Sequence, residues 1–302
     1  MGDGQGMHNP DFKREIDRYG ARDLEQRKNW YSLAAVAYDQ VRPRYPQALL
    51  GQVAMAAQLS ARSRILEVGC GPATATVDFA KLGCWILGLE PNPDFFALAQ
   101  RNCQVFSNVT LQNLAFEEWL QEFRRSEQGS QMPNQEISQF DAVLAASSFH
   151  WIPATVGYPQ AARLLKKNGR LILLWNKELQ PSESVYRGLS EIYQVHTPEL
   201  DRYETREQRQ QILQELGQMA IDSGYFQDLV TGQIDVEVTY TVDQYLTLLN
   251  TYSPYLKLDP VRKTALFTAL RERIEVDWGG SLALSYISAF HITQKCSIVT
   301  AD

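Results

Sequence analysis

The chain lacks an excess of positive charge. Its 29 lysine and arginine residues stand against 35 aspartate and glutamate residues, which gives a formal net charge of −6, and no long basic block is present. Tight binding to a nucleic-acid backbone normally requires a clustered basic surface. The composition therefore disfavours a nucleic-acid partner.

Cysteines and long apolar runs are also scarce. The four cysteines are Cys70, Cys84, Cys103 and Cys296, and no pair has metal-ligand spacing, so we expect reduced thiols and no metal site. No run approaches the roughly 18 apolar residues of a membrane span, and the polar, Gly-rich first ten residues contain no apolar signal segment. These features predict a cytoplasmic protein without a membrane partner.

The most informative pattern that is present begins with a short apolar run over residues 65–68, of the length of a buried parallel strand. Gly69 and Gly71 follow, and glycine allows a tight turn with positive φ and close approach of the backbone to a ligand. A helical apolar pattern then continues to Gly83, and a second apolar run ends at Glu90. This order of elements is half of a nucleotide-binding α/β unit.

The acidic residue before the glycines indicates which nucleotide. A carboxylate at Glu67 would repel a pyrophosphate, which favours a ligand with cationic groups, and Thr74 replaces the third glycine of a dinucleotide fingerprint. Glu90, about 20 residues beyond the turn, is placed to accept hydrogen bonds from a ribose diol. A nucleoside that carries positive charge is S-adenosylmethionine (SAM). An ordinary strand-turn-helix of a flavodoxin-like sheet is the structural alternative.

On these residues the sequence resembles the class I SAM-dependent methyltransferases, whose first motif reads E/D-x-G-x-G. The resemblance implies a SAM site with S-adenosylhomocysteine (SAH) as the product and without a metal. It places the following residues of the two turns in that site: Glu67, Gly69, Cys70, Gly71, Glu90 and Pro91.

A Tyr-x-x-x-Arg-Pro-x-Tyr-Pro segment over residues 38–46 is similar to one in the type 11 subgroup that includes trans-aconitate methyltransferase. In that subgroup it folds over the cofactor, so the resemblance implies that Tyr38 and Arg42 line the SAM site. A guanidinium binds carboxylates in a bidentate manner, which suits Arg42 to the methionine carboxylate. Alternatively, Arg42 is a surface residue of a Pro-rich turn.

Two further segments are expected at the carboxyl ends of strands, where open α/β sheets bind ligands. After a third strand over 105–111, family members carry an acid that holds the adenine amino group, but this chain has Leu114, so backbone groups near Ala115 and Phe116 are the candidates. The Phe116 ring stacks on adenine or serves as plain packing. A fourth strand over 140–146 places Ala146 and Ser147 beside the methyl donor.

The next segment, Phe-His-Trp-Ile, resembles the His-Trp pair of the same subgroup. It makes His150 the candidate catalytic residue, which would orient a substrate or accept a proton, although such a histidine is also common as a packed, hydrogen-bonded residue. Candidate walls of the substrate pocket are Trp151, Trp175 and Tyr252, and Trp175 is alternatively a core residue. The chain lacks the Asn/Asp-Pro-Pro-Tyr signature, which disfavours methylation of nucleobase or glutamine nitrogens.

The order of elements predicts an α/β fold. We expect five parallel strands and then a pair whose last strand, over 282–293, is antiparallel, in a seven-stranded Rossmann-like methyltransferase sheet with a helical cap. The predicted organisation is a polar, partly disordered N-terminus over 1–24, a SAM-binding core over 25–176, a helical cap over 177–230, and completion of the sheet with further cap helices over 231–302.

The predicted function is transfer of a methyl group from SAM to a small-molecule acceptor, in the manner of the EC 2.1.1 enzymes. A carboxylate or hydroxyl acceptor suits the absence of an evident catalytic dyad, because such a reaction needs mainly alignment and exclusion of water. The alternatives are a non-catalytic SAM-binding or regulatory protein, and an NAD(P)-dependent dehydrogenase, which Glu67 and the missing third glycine oppose. The acceptor, the methylated atom and the oligomeric state are left open.

Overall fold

The computed structural model describes residues 20–121 and 140–297. Five parallel strands form the first half of its sheet, in the spatial order β3-β2-β1-β4-β5. They are β1 (Arg64–Val68), β2 (Trp85–Leu89), β3 (Val109–Gln112), β4 (Phe140–Ala146) and β5 (Leu165–Asn176). β1, β4 and the second half of β5 (residues 171–175) are buried on both faces, because each is a largely apolar run covered by helices on either side.

Successive residues of these strands contribute to two different cores. Ile65 of β1 packs with Leu49 and Phe79 from the helices on one face of the sheet. Leu66 packs on the other face with Tyr158 and Leu216. The helices that cover the sheet are α3 (Gln47–Ala56), α4 (Thr76–Lys81), α5 (Pro93–Cys103) and α6 (Ala154–Leu164). The two-residue period of a strand thus decides which core each β1 side chain joins.

The second half of the sheet is antiparallel. The strands are β6 (Gln180–Pro181), β7 (Phe226–Thr241) and β8 (Ser281–Lys295). β8 pairs with β5 on one side and with β7 on the other, both in the antiparallel sense, and β6 pairs with β8 beyond the end of β5. The predicted methyltransferase-type sheet with an antiparallel last strand is confirmed, and β6 makes it eight-stranded rather than seven-stranded.

Short helices precede the sheet, and longer ones follow β5. The N-terminal elements are α1 (Leu24–Asn29), a 3-10 turn (Ser32–Ala34) and α2 (Ala35–Val41). The later helices are α7 (Glu183–His196), α8 (Arg206–Asp222), α9 (Val242–Leu249), α10 (Ser253–Leu256) and α11 (Pro260–Trp278). Within the described residues, no helix is both long and apolar enough to cross a membrane.

The cap is built on the projecting ends of β7 and β8. Leu189 of α7, Leu246 of α9 and Leu270 of α11 share one apolar cluster with Leu282 and Leu284 of β8. α8 is different, because Leu213, Leu216 and Ala220 join the core on the sheet. The cap helices therefore come from two separate stretches of chain, and they stand beside the carboxyl ends of the parallel strands.

Candidate active site

The turn between β1 and α4 is held in an unusual backbone conformation. Gly69, Gly71 and Ala73 have φ of 65°, 57° and 67°. A Cβ atom at Gly69 would lie 2.8 Å from the Cβ of Ser148, whereas a Cβ at Gly71 would meet nothing within 4 Å. Both glycines avoid the cost of the left-handed region, and Gly69 also allows close contact with the loop after β4.

Glu90 joins this turn to the loop after β2. Its Oε2 accepts a hydrogen bond of 2.7 Å from the Gly71 amide, and its Oε1 accepts one of 2.8 Å from the Asn92 amide. Burial raises the pKa of Glu90 to about 7, although both bonds favour the charged form. The carboxylate is therefore fixed in position, and each oxygen retains a further lone pair.

Glu67 lies beneath the turn. Its Oε2 accepts a bond of 2.6 Å from the Thr76 hydroxyl of α4, and the side chain is fully buried. Burial raises the pKa of Glu67 to about 8; the Thr76 bond opposes this shift and the nearby charge of Glu90 adds to it. Glu67 is absent from the lining of the adjacent cavity. Its predicted contact with a ligand stays a prediction, and the structure gives the carboxyl a place in the core.

A cavity of about 360 Å³ opens at the carboxyl ends of β1, β2, β4 and β5. Small-molecule sites commonly range from roughly 300 to 1,000 Å³. Eleven of the twelve predicted cofactor residues line it, Glu67 being the exception: Tyr38, Arg42, Gly69, Cys70, Gly71, Glu90, Pro91, Ala115, Phe116, Ala146 and Ser147. The structure therefore brings together residues that come from five separate segments of the chain.

Arg42 lines the cavity but is already engaged with the cap. Its Nε donates to the Thr251 hydroxyl at 2.8 Å, and its Nη2 donates to the Thr251 carbonyl at 2.9 Å. The guanidinium carbon lies 4.0 Å from the ring centroid of Tyr252 and 4.8 Å from that of Tyr38. Tyr252 does not line the cavity; its hydroxyl accepts a bond from the Leu179 amide. Tyr252 therefore packs against the Arg42 guanidinium from outside the cavity.

The loop after β3 supplies a carboxylate that the sequence analysis did not single out. The Ala115 amide, a predicted adenine contact, donates to Glu118 at 2.9 Å, and Phe116 is almost fully buried. Glu117 lines the cavity and pairs with Arg27 at 2.8 Å. An acidic side chain therefore lines the cavity two residues after Ala115, although none directly precedes it.

The loop after β4 is fixed by hydroxyl groups. Ser147 has a φ of 55°, and its hydroxyl lies 3.1 Å from the hydroxyl of Tyr45, which also lines the cavity. Ser148 donates to the Val68 carbonyl at 2.5 Å. Burial raises the pKa of Tyr45 well above its ordinary value, so the phenol stays neutral. Tyr45 belongs to the segment over 38–46, but the sequence analysis chose only Tyr38 and Arg42 from it as site residues.

His150 is held between two indoles. Its ring centroid lies 5.6 Å from that of Trp151 and 5.7 Å from that of Trp175, and all three residues line the cavity. Trp175 in turn donates its Nε1 hydrogen to Nδ1 of His291 at 3.0 Å. Burial lowers the pKa of His150 to about 4. The imidazole is therefore neutral near pH 7 and a weak proton acceptor, which favours an orienting role.

Charged side chains meet at the far end of the cavity. Lys177 pairs with Glu204 at 2.7 Å, and Arg202 lies 3.9 Å from Glu178. All four line the cavity. These residues were missed by the sequence analysis because helix α7 separates the two members of each pair along the chain. Within residues 20–121 and 140–297, no group of three or more histidine, cysteine or acidic side chains is arranged to hold a metal ion.

Part of the chain is similar to known methyltransferases. Residues 66–171 match the model of a methyltransferase domain. Uncharacterized methyltransferases of Mycobacterium tuberculosis and Mycobacterium bovis are 28% identical over 146 residues, which is 48% of this chain and 51% of theirs. The chain thus spans about half the length of the curated relatives it matches.

The fold is shared over a larger part of the chain. A structure from Anaeromyxobacter dehalogenans, provisionally assigned as a type II methyltransferase, aligns with 84% of this chain and 97% of its own. The TM-score is 0.57 and the sequence identity is 17%. At this identity the alignment shows that the architecture is the same.

Proposed function

Because the chain belongs to the class I SAM-dependent methyltransferase family, in its type 11 group, we propose that it transfers a methyl group from SAM to a small-molecule acceptor. The observation that carries the proposal is the cavity at the carboxyl ends of the parallel strands. It is lined by the glycine turn and Glu90 at one end and by charged and apolar cap residues at the other.

The residues of this cavity fit a nucleoside with a cationic sulfur. The open space beside Gly71 leaves room against the turn, and the fixed carboxylate of Glu90 suits the two hydroxyls of a ribose. Arg42 would meet the methionine carboxylate through Nη1, because Nε and Nη2 are bonded to Thr251. Glu117 and the backbone near Ala115 would face the adenine. When bound, SAM supplies an electrophilic methyl group.

The remaining residues would align the acceptor and exclude water. A carboxylate or acidic hydroxyl acceptor near Ser147 and His150 is already largely deprotonated near pH 7 and needs little base catalysis, which agrees with a neutral imidazole of low pKa. The phenol of Tyr45 fixes the Ser147 loop through its hydroxyl contact. Lys177 and Glu204 offer both signs of charge to a polar group on the acceptor. We therefore assign His150 an orienting role and the cap residues the choice of acceptor.

Two alternative functions are distinguished by specific observations. A non-catalytic SAM-binding protein would be favoured by a pocket filled by Trp175 and Tyr252. Trp175 instead forms one wall, Tyr252 lies outside the cavity, and the space continues to Lys177 and Leu216. For a dehydrogenase, the burial of Glu67 weakens the electrostatic argument against a pyrophosphate, so direct binding of NADH is the appropriate test.

Calorimetric titration with SAM, SAH and NADH tests the proposal. We expect saturable binding of SAM and SAH, and no binding of NADH. Glu90→Ala removes the acceptor of charge-assisted hydrogen bonds, and the loss of one such bond costs about 1.5–3 kcal/mol, so SAH affinity is expected to fall at least roughly 10-fold. The control is Glu237→Ala, at an exposed position of β7, and it is expected to bind SAH like the wild type.

Binding of NADH alone would overturn the proposed cofactor. Binding of SAM and SAH that Glu90→Ala leaves unchanged would overturn the site. With cofactor binding established, incubation with methyl-labelled SAM and a panel of small carboxylates and alcohols then tests transfer. Labelled product that requires the intact chain identifies the acceptor class.

A further inference from the structure

A second cavity of about 250 Å³ adjoins the active-site cavity. The two share four lining residues: His150, Ile152, Trp175 and Leu216. The second cavity extends behind them between α6, β5 and α8, where its lining includes Phe149, Tyr158, Leu173 and Met219. It therefore lies directly beside the His150 and Trp175 end of the main cavity, away from the glycine turn.

The two ends of the acceptor region differ in polarity. None of the residues that line the second cavity in the described chain is aspartate, glutamate, lysine or arginine. Burial raises the pKa of Tyr158 well above its ordinary value and lowers that of His150, so both side chains stay neutral near pH 7. Lys177, Glu178 and Glu204, in contrast, line only the main cavity.

The volume and the uncharged lining of the second cavity suit a hydrocarbon group. Enclosed apolar cavities of about 150 Å³ bind benzene. Most residues that line the second cavity are likewise apolar, and it reaches the surface at Ala154 and Thr155. The Nε1 hydrogen of Trp175 already bonds to His291, so the indole offers little to a water molecule. A cavity of about 250 Å³ has room for a ring or a short alkyl chain.

We propose that the second cavity binds an apolar part of the methyl acceptor, while the reacting group of the acceptor lies in the main cavity beside Ser147 and His150. This inference rests on the proposed function and narrows it to amphipathic acceptors. The polar portion lies toward Lys177 and Glu204, and the hydrocarbon portion passes Trp175 and Leu216 toward Leu173. A purely ionic acceptor would leave the second cavity unfilled.

Straight-chain 1-alkanols from butanol to octanol are suitable probes, because they add one methylene at a time without charge. Calorimetry on the SAH-saturated protein is expected to show one saturable alkanol site. Each added methylene should tighten binding by up to about fourfold, as full burial of a methylene implies. Affinity that does not depend on chain length would overturn the proposal.

Met219→Trp locates the site, because Met219 lines the second cavity and not the main one. We expect the larger side chain to reduce octanol affinity at least tenfold and to leave SAH affinity unchanged. The matched control is Met55→Trp, on the exposed side of α3, where the methionine is 75% exposed. Thr155→Trp, at an exposed position of the second cavity, is a further filling variant in case Met219→Trp does not fold.

Different results would contradict the proposed apolar site and the proposed function. Octanol binding that both filling variants leave unchanged would overturn the second cavity as the apolar site, with SAH binding intact. Absence of SAH binding in the wild type, read from its own titration, would overturn the proposed function and with it the description of the occupant as a methyl acceptor.

Discussion

Two carboxyl groups are buried at the turn without an ion-pair partner among the described residues. Burial raises the pKa of Glu67 to about 8 and that of Glu90 to about 7, whereas both would titrate near 4.5 in an unfolded chain. Between these values the folded protein holds protons that the unfolded chain has lost. Their contribution to stability is therefore fully present below pH 4.5 and lost as the pH rises toward 8.

Glu67→Gln should remove part of this dependence. Each such group lowers the free energy of unfolding by up to about 1.4 kcal/mol per pH unit in this window. Between pH 7 and 8 Glu67 dominates, so urea denaturation should show falling stability for the wild type and a nearly flat profile for the variant. Glu237→Gln, at an exposed position, should keep the wild-type slope. Parallel profiles for wild type and Glu67→Gln would contradict the assignment.

At the scale of the element, the glycine turn provides a matched pair of substitutions. Gly71→Ala places a side chain at positive φ but in open space, so it should cost only about 1–2 kcal/mol of stability. Gly69→Ala has the same backbone cost, and its Cβ would lie 2.8 Å from that of Ser148. We expect it to cost at least a further 1 kcal/mol or so through displacement of the Ser148 loop.

Urea denaturation of the ligand-free protein measures this difference. Equal destabilisation by the two alanines would show that the Ser148 loop moves without cost. Ser148→Gly in the Gly69→Ala background removes the collision and should recover the additional loss, which separates steric contact from backbone strain.

At the scale of the whole molecule, Arg42 connects the segment before the sheet to the cap. Its bonds to the Thr251 hydroxyl and carbonyl join parts of the chain that are distant in sequence. A double-mutant cycle with Arg42→Lys and Thr251→Val should give a coupling energy of roughly 1–2 kcal/mol in urea denaturation, because both groups are largely removed from solvent.

The exposed pair of Arg262 and Glu199, at 2.8 Å, is the control. Its coupling should lie below about 1 kcal/mol, because solvent screens exposed ion pairs. An Arg42–Thr251 coupling as small as that of the control would show that this hydrogen bond contributes little to holding the cap.

Local patterns predicted the strands and the turn because strand period and glycine conformation are properties of short segments. The apolar run over 65–68 forms most of β1, and Gly69 and Gly71 have positive φ in the turn that follows it. The predicted contact of Glu67 with a ligand stays a prediction, and the structure shows its side chain buried beneath the turn. In a strand, residues 65 and 67 face the same side, so Glu67 follows Ile65 toward α4 and Thr76. The alternation of side chains along a strand therefore already indicated that Glu67 faces the same side of the sheet as Ile65.

The sequence by itself determined the α/β class and the half of the site formed by consecutive residues at strand ends, because these follow from periodicity and from glycine. The antiparallel last strand was implied by the family resemblance. Only the tertiary structure decided that Arg42 donates hydrogen bonds to Thr251 and that Lys177 forms an ion pair with Glu204. It also decided that Met219 and Trp175 line the same cavity. Contacts between distant segments depend on how the cap packs on β7 and β8, and no local pattern encodes that packing.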